Sequence, residues 1–291
     1  MITSVKGSKV SSNQGTPELN VALDRCSEIC LAEQQPIAGT APHVDVWLMI
    51  EHRSSWAPKA PKENDLSDSF NQWLAKIQDK AEAQGLTVRP QFIRRRSRTD
   101  EDLSLFVGTK DGIGISSFRN LEDLQSIEIF DLPLDTSSTD HYFVCTHAQR
   151  DTCCSRLGIP VWQTLEAAFP GRAWHTTHLG GHRYAANLLV LRQGLMFGRM
   201  TAENVIDTVE CVNAGKIPYE YLRGRSFHTA KAQFCESRLR GRYQQLLTES
   251  EETVSFLTDH GTEEVDVPQL QEISYIGSCG DTERSTTLMF V

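Results

Sequence analysis

Cys145-Thr146-His147-Ala148-Gln149-Arg150-Asp151-Thr152-Cys153-Cys154, followed by His178-Leu179-Gly180-Gly181-His182, gathers thiols and imidazoles as no other part of the chain does. Thiolates suit zinc or iron–sulfur chemistry, and imidazole suits zinc, copper or iron. Four ligands of these two kinds suffice for a zinc site or for a binuclear iron–sulfur cluster. The reading of the whole protein turns on which of the two they serve.

The elements around this stretch place the candidate ligands. His141 to Cys145 reads as a strand, and Ser155 to Phe169 as a helix with Leu157, Val161, Leu165 and Ala168 at helical spacing. Pro160 is expected near that helix's first turn, where its missing N–H is harmless. RAWHTTH (172–178) forms a short strand, and Asn187–Leu191 and LMFGRM (195–200) pair as a hairpin. Thr201 then caps a helix with Val205, Val209 and Val212 facing inward. The order β-α-β-β-β-α is close to the thioredoxin-like arrangement. It sets Cys145 at a strand end, Cys154 at a helix start, and His178 and His182 on either side of a Gly-Gly turn. Glycine tolerates the positive φ such a wrap needs.

The residues leave several chemistries open. Cys₂His₂ is a standard structural zinc set and His-x₃-His falls in its usual spacing, but Cys145 and Cys154 are farther apart than the two to four residues common in zinc modules. Cys145 with His147 or His178 as base and Asp151 as orienter would make a nucleophile, although no oxyanion hole accompanies it. A disulfide switch at the adjacent Cys153 and Cys154 would close a strained ring.

Outside this region the chain divides into residues 1–20, read as a disordered polar tail, 21–137 as an α/β lobe, 138–215 as the ligand-bearing domain, and 216–291 as an extension packing on the core. In the first lobe Leu23, Cys26, Ile29 and Cys30 recur at helical spacing, so the two cysteines share a face and read as small core residues. Val44–Glu51 reads as a strand, Leu66–Glu82 as a helix, then LTVRPQFIRR, LSLFVG and IGISSF as strands, the last two a hairpin. In the extension, Arg223-Gly-Arg225-Ser226 reads as an anion-binding or surface turn. A helix is expected over 230–247 and a final strand over TTLMFV. Cys211, Cys235 and Cys279 read as isolated thiols. No phosphate-binding loop or dinucleotide fingerprint occurs.

Composition narrows the class. The chain has 291 residues, 39% hydrophobic and 23% charged, a soluble-protein profile long enough for about two cores. A net charge of −9 argues against a nucleic-acid partner. The one basic run, Arg94-Arg95-Arg96-Ser97-Arg98, reads as a solvated strand end, or as a docking patch for an acidic electron-transfer partner. No apolar stretch nears the roughly 20 residues of a membrane span, and no signal-peptide core is present, so a cytoplasmic location without membrane contact is expected. Eight cysteines clustered in a reducing compartment lean towards metal or redox work.

The run C-T-H-x-x-R-D-x-C-C with H-L-G-G-H-R-Y-A-A-N, together with LRGRS at 222–226, resembles the sucrase/ferredoxin-like family, relatives of thioredoxin-like [2Fe–2S] ferredoxins. The resemblance runs from about Cys26 to the end of the chain. It implies a thioredoxin-like ferredoxin domain preceded by a second α/β lobe, the latter an analogue of the first without ligands. It also implies a [2Fe–2S] cluster on Cys145, Cys154, His178 and His182, with Cys153 as the alternative to Cys154. His147, Arg150, Asp151 and Arg183 would hydrogen-bond around those ligands. With two imidazoles in place of two thiolates the cluster is less negative and its potential higher, as in Rieske centres. The implied role is one-electron transfer between protein partners, open to proton coupling. No acid/nucleophile carboxylate pair supports sucrase chemistry.

Overall fold

Apolar residues run almost unbroken through Val46–Glu51 (β1) and Tyr142–Cys145 (β6), and every position in both strands is buried. Each strand must therefore be covered on both faces. The computed structural model describes residues 25–95, 102–135 and 140–291; the tail expected over 1–20 and residues Arg96 to Arg98 of the basic run lie outside them.

Two βαβ units, each closed by a hairpin, supply the eight central strands of a ten-stranded sheet. In the first, β1 runs parallel to Val88–Arg94 (β2) across the helix Asp68–Glu82 (α2), and antiparallel to Leu103–Thr109 (β3), which pairs with Gly112–Phe118 (β4). After the short helix Leu121–Gln125 (α3), the edge strand Leu134–Asp135 (β5) pairs with β4. In the second, β6 runs parallel to Ala173–Thr176 (β7) across Thr152–Ala168 (α4), and antiparallel to Leu188–Val190 (β8), which pairs with Leu195–Phe197 (β9). The first lobe thus repeats the strand order of the ligand-bearing one. The units meet where β2 and β7 pair antiparallel, Ile93 opposite Thr176 and Arg94 opposite His175. One face of the sheet carries a continuous apolar layer that includes Trp47, Met49, Phe106, Phe143, Trp174 and Leu189. On the other, Phe70, Leu74 and Ile77 of α2 cover Leu48 and Ile50, while Val161 and Leu165 of α4 and Val205 and Val209 of Val205–Asn213 (α5) cover Tyr142 and Val144. Each such fully buried side chain stabilises by about 1.5–3 kcal/mol.

Four local expectations change. Pro160 sits in the middle of α4, not near its start. The helix begins earlier because the Asp151 side chain accepts the Cys153 N–H at 2.8 Å and caps it. An interior proline costs about 3 kcal/mol, which the packing of Val161, Trp162 and Leu165 offsets. Leu222–Arg225 is a buried strand (β10) at the sheet edge beside β9, not a surface turn. The helix expected over 230–247 ends early: Ala230–Glu236 (α6) is followed by strand Tyr243–Glu249 (β11). Gly241 lies between them, and a glycine there favours the break. Thr201 does not cap α5, whose N-cap is Asn204 with no side-chain cap bond; Thr201 and Asn204 instead close the turn before the helix, the Thr201 hydroxyl accepting the Asn204 N–H and the Asn204 side-chain oxygen accepting the Thr201 N–H.

The C-terminal part adds a three-stranded sheet of β11, Thr253–Thr258 (β12) and Gly261–Asp266 (β13), then a hairpin of Leu270–Ile276 (β14) and Arg284–Phe290 (β15). Arg284 makes a two-pronged ion pair with Glu33. That pairing holds the hairpin against the end of Cys26–Ala32 (α1) and brings the turn at 277–283 over the ligand-bearing region. No helix among the described residues is long and apolar enough to cross a membrane.

Candidate metal centre

Cys145 is the last residue of β6, its N–H bonded to Asn187 O at 3.0 Å, so the thiol leaves the sheet at a fixed point. Cys154 arrives from the first turn of α4. The two elements can approach because residue 158 is glycine: a Cβ there would stand 2.2 Å from Cys145 O. His178 follows β7 and completes the group. A ligand atom from each of Cys145, Cys154 and His178 lies within 4.8 Å of the other two, with His178 Nδ1 at 3.6 Å from Cys154 Sγ and 3.9 Å from Cys145 Sγ.

His182 stands one step outside that triad. Its ring centroid is 5.2 Å from that of His178, its Nδ1 is 3.4 Å from Asp151 Oδ2, and its Nε2 is 3.3 Å from Ser278 Oγ. Gly180 and Gly181 turn the chain between the histidines at φ +96° and +68°, values that favour glycine. Side chains hold the loop by its carbonyls: Arg89 donates to His178 O at 3.2 Å, Arg223 to Gly180 O at 2.7 Å and Asn187 to Gly181 O at 3.0 Å.

The electrostatics favour one negative charge on the sulfur pair, at Cys145. The Cys154 thiol and His178 push Cys145 well below the ordinary thiol range against the opposing effect of burial. Cys154 is raised because its own proton is shared with Cys145 and because it is buried. Arg223 is 2% exposed, and its guanidinium, brought down to about 10 by burial, has neutral partners only: Gly180 O, Asn187 Oδ1 and Thr40. Among the described residues neither Arg223 nor Arg89 pairs with a carboxylate. Two guanidiniums facing a ligand loop with no side-chain counter-charge fit an anionic group at Cys145 and Cys154. The donor set itself, two thiols and two imidazoles in a largely buried place, fits a thiophilic metal or an iron–sulfur cluster.

The remaining candidates spread out. Cys153 points away from the triad: it lies with Cys26, Asp151 and Cys279 in a second group. Cys26 and Cys279, expected as a core residue and an isolated thiol, are thus thiol neighbours; segments far apart in sequence meet there only through the fold. His147 is buried edge-on against Trp56, its ring centroid 5.8 Å away, and burial holds its pKa down. Arg150 is exposed and, with Lys59, Lys62, Arg89 and His178, lines an open cavity of about 690 Å³. Arg183 stacks on Tyr275 at 3.7 Å and hydrogen-bonds Tyr184, away from the sulfurs. Burial works to raise Asp151, but N–H donation from Cys279 and Cys153 and the nearby His182 outweigh it and hold the carboxyl below its usual range. Arg89, Ser278 and Gly158 carried no local sequence signal, and Asn187 stood as the last residue of the H-L-G-G-H-R-Y-A-A-N run. Arg223 did, within L-R-G-R, but as a turn.

A family model described as sucrase/ferredoxin-like matches residues 37–224, more than half of the chain and all four candidate ligands. The protein named altered inheritance of mitochondria protein 32 from Candida glabrata is 31% identical over 97 residues, which cover 28% of this chain and 31% of that relative. The chain therefore aligns with less than a third of that relative's length. No solved structure matches. The chain belongs to the sucrase/ferredoxin-like family.

Proposed function

We propose that the protein is a one-electron carrier whose thioredoxin-like domain holds a [2Fe–2S] cluster on Cys145, Cys154, His178 and His182. The observation that carries this reading is the convergence of Cys145, Cys154 and His178 within 4.8 Å beside His182, against two guanidiniums without carboxylate partners. When bound, such a cluster supplies a single reversible electron at a potential above that of all-cysteine ferredoxins. The chain's own residues do the rest. Gly158 lets α4 close on Cys145 O, Arg223 and Asn187 hold the 178–182 loop, and the turn at Ser278 and Cys279 covers His182 from water. Negative charge gained on reduction would fall near Arg223 and Arg89, which stabilises the reduced state.

His178 is the ligand nearest the surface and borders the cavity lined by Lys59, Lys62, Arg89 and Arg150. A redox protein presenting carboxylates suits that rim, since charge complementarity speeds encounter. The relative's name links it to mitochondrial inheritance; a redox carrier serving a mitochondrial process is compatible with the present reading.

The test is anaerobic purification followed by iron and acid-labile sulfide analysis and electron paramagnetic resonance after dithionite. Two irons and two sulfides per chain with a Rieske-like signal are expected. Protein that binds zinc alone at Cys145 and Cys154, and takes up no cluster on reconstitution, would make this a structural metal module instead.

A further inference from the structure

Four side chains outside the proposed ligand set converge on a second point. Cys26 comes from α1, Asp151 and Cys153 from the start of α4, and Cys279 from the turn between β14 and β15. One ligand atom from each lies within 4.8 Å of all the others. Cys26 and Cys153 are 1% and 0% exposed and Asp151 is 5% exposed, while Cys279 is half-buried.

The spacing of the sulfurs carries the argument. Zinc–sulfur bonds of about 2.3 Å in a tetrahedron put neighbouring sulfurs about 3.8 Å apart. Cys26 Sγ is 3.7 Å from both Cys153 Sγ and Cys279 Sγ, and Cys153 Sγ is 3.0 Å from Cys279 Sγ. Two edges already match. The third opens by a shift of less than about 1 Å in Cys279, the half-buried member of the group, on the turn between β14 and β15. A disulfide would instead need one pair at about 2.05 Å and would leave the third thiol without a role. The fourth corner is present as well: Asp151 Oδ1 is 3.2 Å from Cys279 Sγ, and its other oxygen is fixed by the Cys279 N–H at 3.0 Å. Ser27 Oγ donates to Cys153 Sγ at 3.1 Å, the kind of outer hydrogen bond that orients a ligating thiolate.

We propose that Cys26, Cys153, Cys279 and Asp151 bind one zinc ion in a closed, tetrahedral structural site. Binding exchanges the three thiol protons, released to water, for three Zn–S bonds, with no change of oxidation state. The site links residues near the two ends of the chain to the helix that presents Cys154. It also fixes Asp151, whose Oδ2 stands 3.4 Å from His182 Nδ1. Its existence does not depend on the cluster reading.

The test counts metals in the full chain purified with reductant and zinc but without chelator, alongside Cys26→Ser, Cys279→Ser and Cys145→Ser. About one zinc per chain is expected in addition to any iron. Cys26→Ser and Cys279→Ser should weaken zinc retention by about 10–100-fold or more while leaving iron and sulfide in place. Cys145→Ser should do the reverse. Wild-type protein freed of zinc and titrated with Co²⁺ should show thiolate charge transfer and the ligand-field bands of a tetrahedral ion; this measurement does not depend on the variants folding. Zinc lost in Cys145→Ser but kept in Cys279→Ser would place the ion in the other site and overturn the proposal. So would a wild-type chain that retains no zinc and gives no tetrahedral cobalt spectrum, or a Cys153–Cys279 disulfide in protein kept under reductant. Zinc that depends on Cys26 and Cys279 in a chain lacking iron would uphold this site and sink the cluster.

Discussion

Asp151 Oδ2 stands 3.4 Å from His182 Nδ1, while the same carboxylate caps α4 through its other oxygen. One acidic side chain thereby sets where Cys154 starts and places negative charge beside a candidate ligand. Asp151→Asn keeps a capping oxygen, since asparagine caps as well as aspartate, and removes the negative charge beside His182 along with the carboxylate corner of the proposed zinc site, so the comparison is made on protein freed of zinc. The expected result is a higher midpoint potential, by about 60 mV for each tenfold relative stabilisation of the reduced state. Potentiometric titration of the reduced signal checks it; a potential that stays put or falls would remove Asp151 from the electrostatics of the centre.

Gly158→Ala isolates the close approach of α4 to β6. Alanine favours an exposed helix over glycine by roughly 1 kcal/mol, so a loosely packed site would gain stability. Here the new Cβ would stand 2.2 Å from Cys145 O, and overpacking of this kind costs typically about 1–3 kcal/mol. Loss of stability in urea together with a lower iron content per chain is expected, because moving the helix parts Cys154 from Cys145. A more stable variant with full iron would refute the tight contact.

Arg223 tests the charge balance from the opposite side. Arg223→Met leaves Gly180 O and Asn187 Oδ1 without their donor, a loss of about 1–3 kcal/mol for each acceptor left unpaired. It also removes a buried positive charge near the sulfurs. The midpoint potential should fall, opposite in sign to Asp151→Asn. If both variants shift it in the same direction, distortion of the loop rather than charge is the cause.

Much of this centre was legible in the sequence, and the reasons differ by residue. The strand ending at Cys145, the helix opening at Cys154 and the Gly-Gly step between the histidines are local signals, and the structure brings Cys145, Cys154 and His178 together as that order implies. The first lobe's equivalent topology followed from its element order. What was hidden depends on contacts between distant segments. Cys26 and Cys279 lie 253 positions apart, and nothing in either neighbourhood marks a ligand. Arg225 was read as part of a surface turn because Arg-Gly-Arg-Ser is polar. It is instead buried against Glu236 Oε1 at 2.9 Å, with His228 near the same carboxylate. A buried pair of that kind hides a strand behind charged residues.

The acid sensitivity of the fold should be traceable to His141. Its ring packs on Phe106, with centroids 4.6 Å apart, and burial, helped by Arg172 and Arg95, brings its pKa from 6.5 to about 4. The native state therefore holds this imidazole neutral where the unfolded chain would protonate it. Because the unfolded state binds more protons between these values, stability rises with pH across that window and is lost as pH falls from 6.5 towards about 4. By pH 5 the loss from this one group is ~2 kcal/mol, and little more is lost below pH 4. His141→Phe keeps an aromatic ring beside Phe106 and removes the titration. Urea midpoints at pH 7 and pH 5 should then lie closer together in the variant than in the wild type. Equal spacing in both would show that the acid-labile group lies elsewhere, with half-buried His52 the next to replace, since burial lowers its pKa as well.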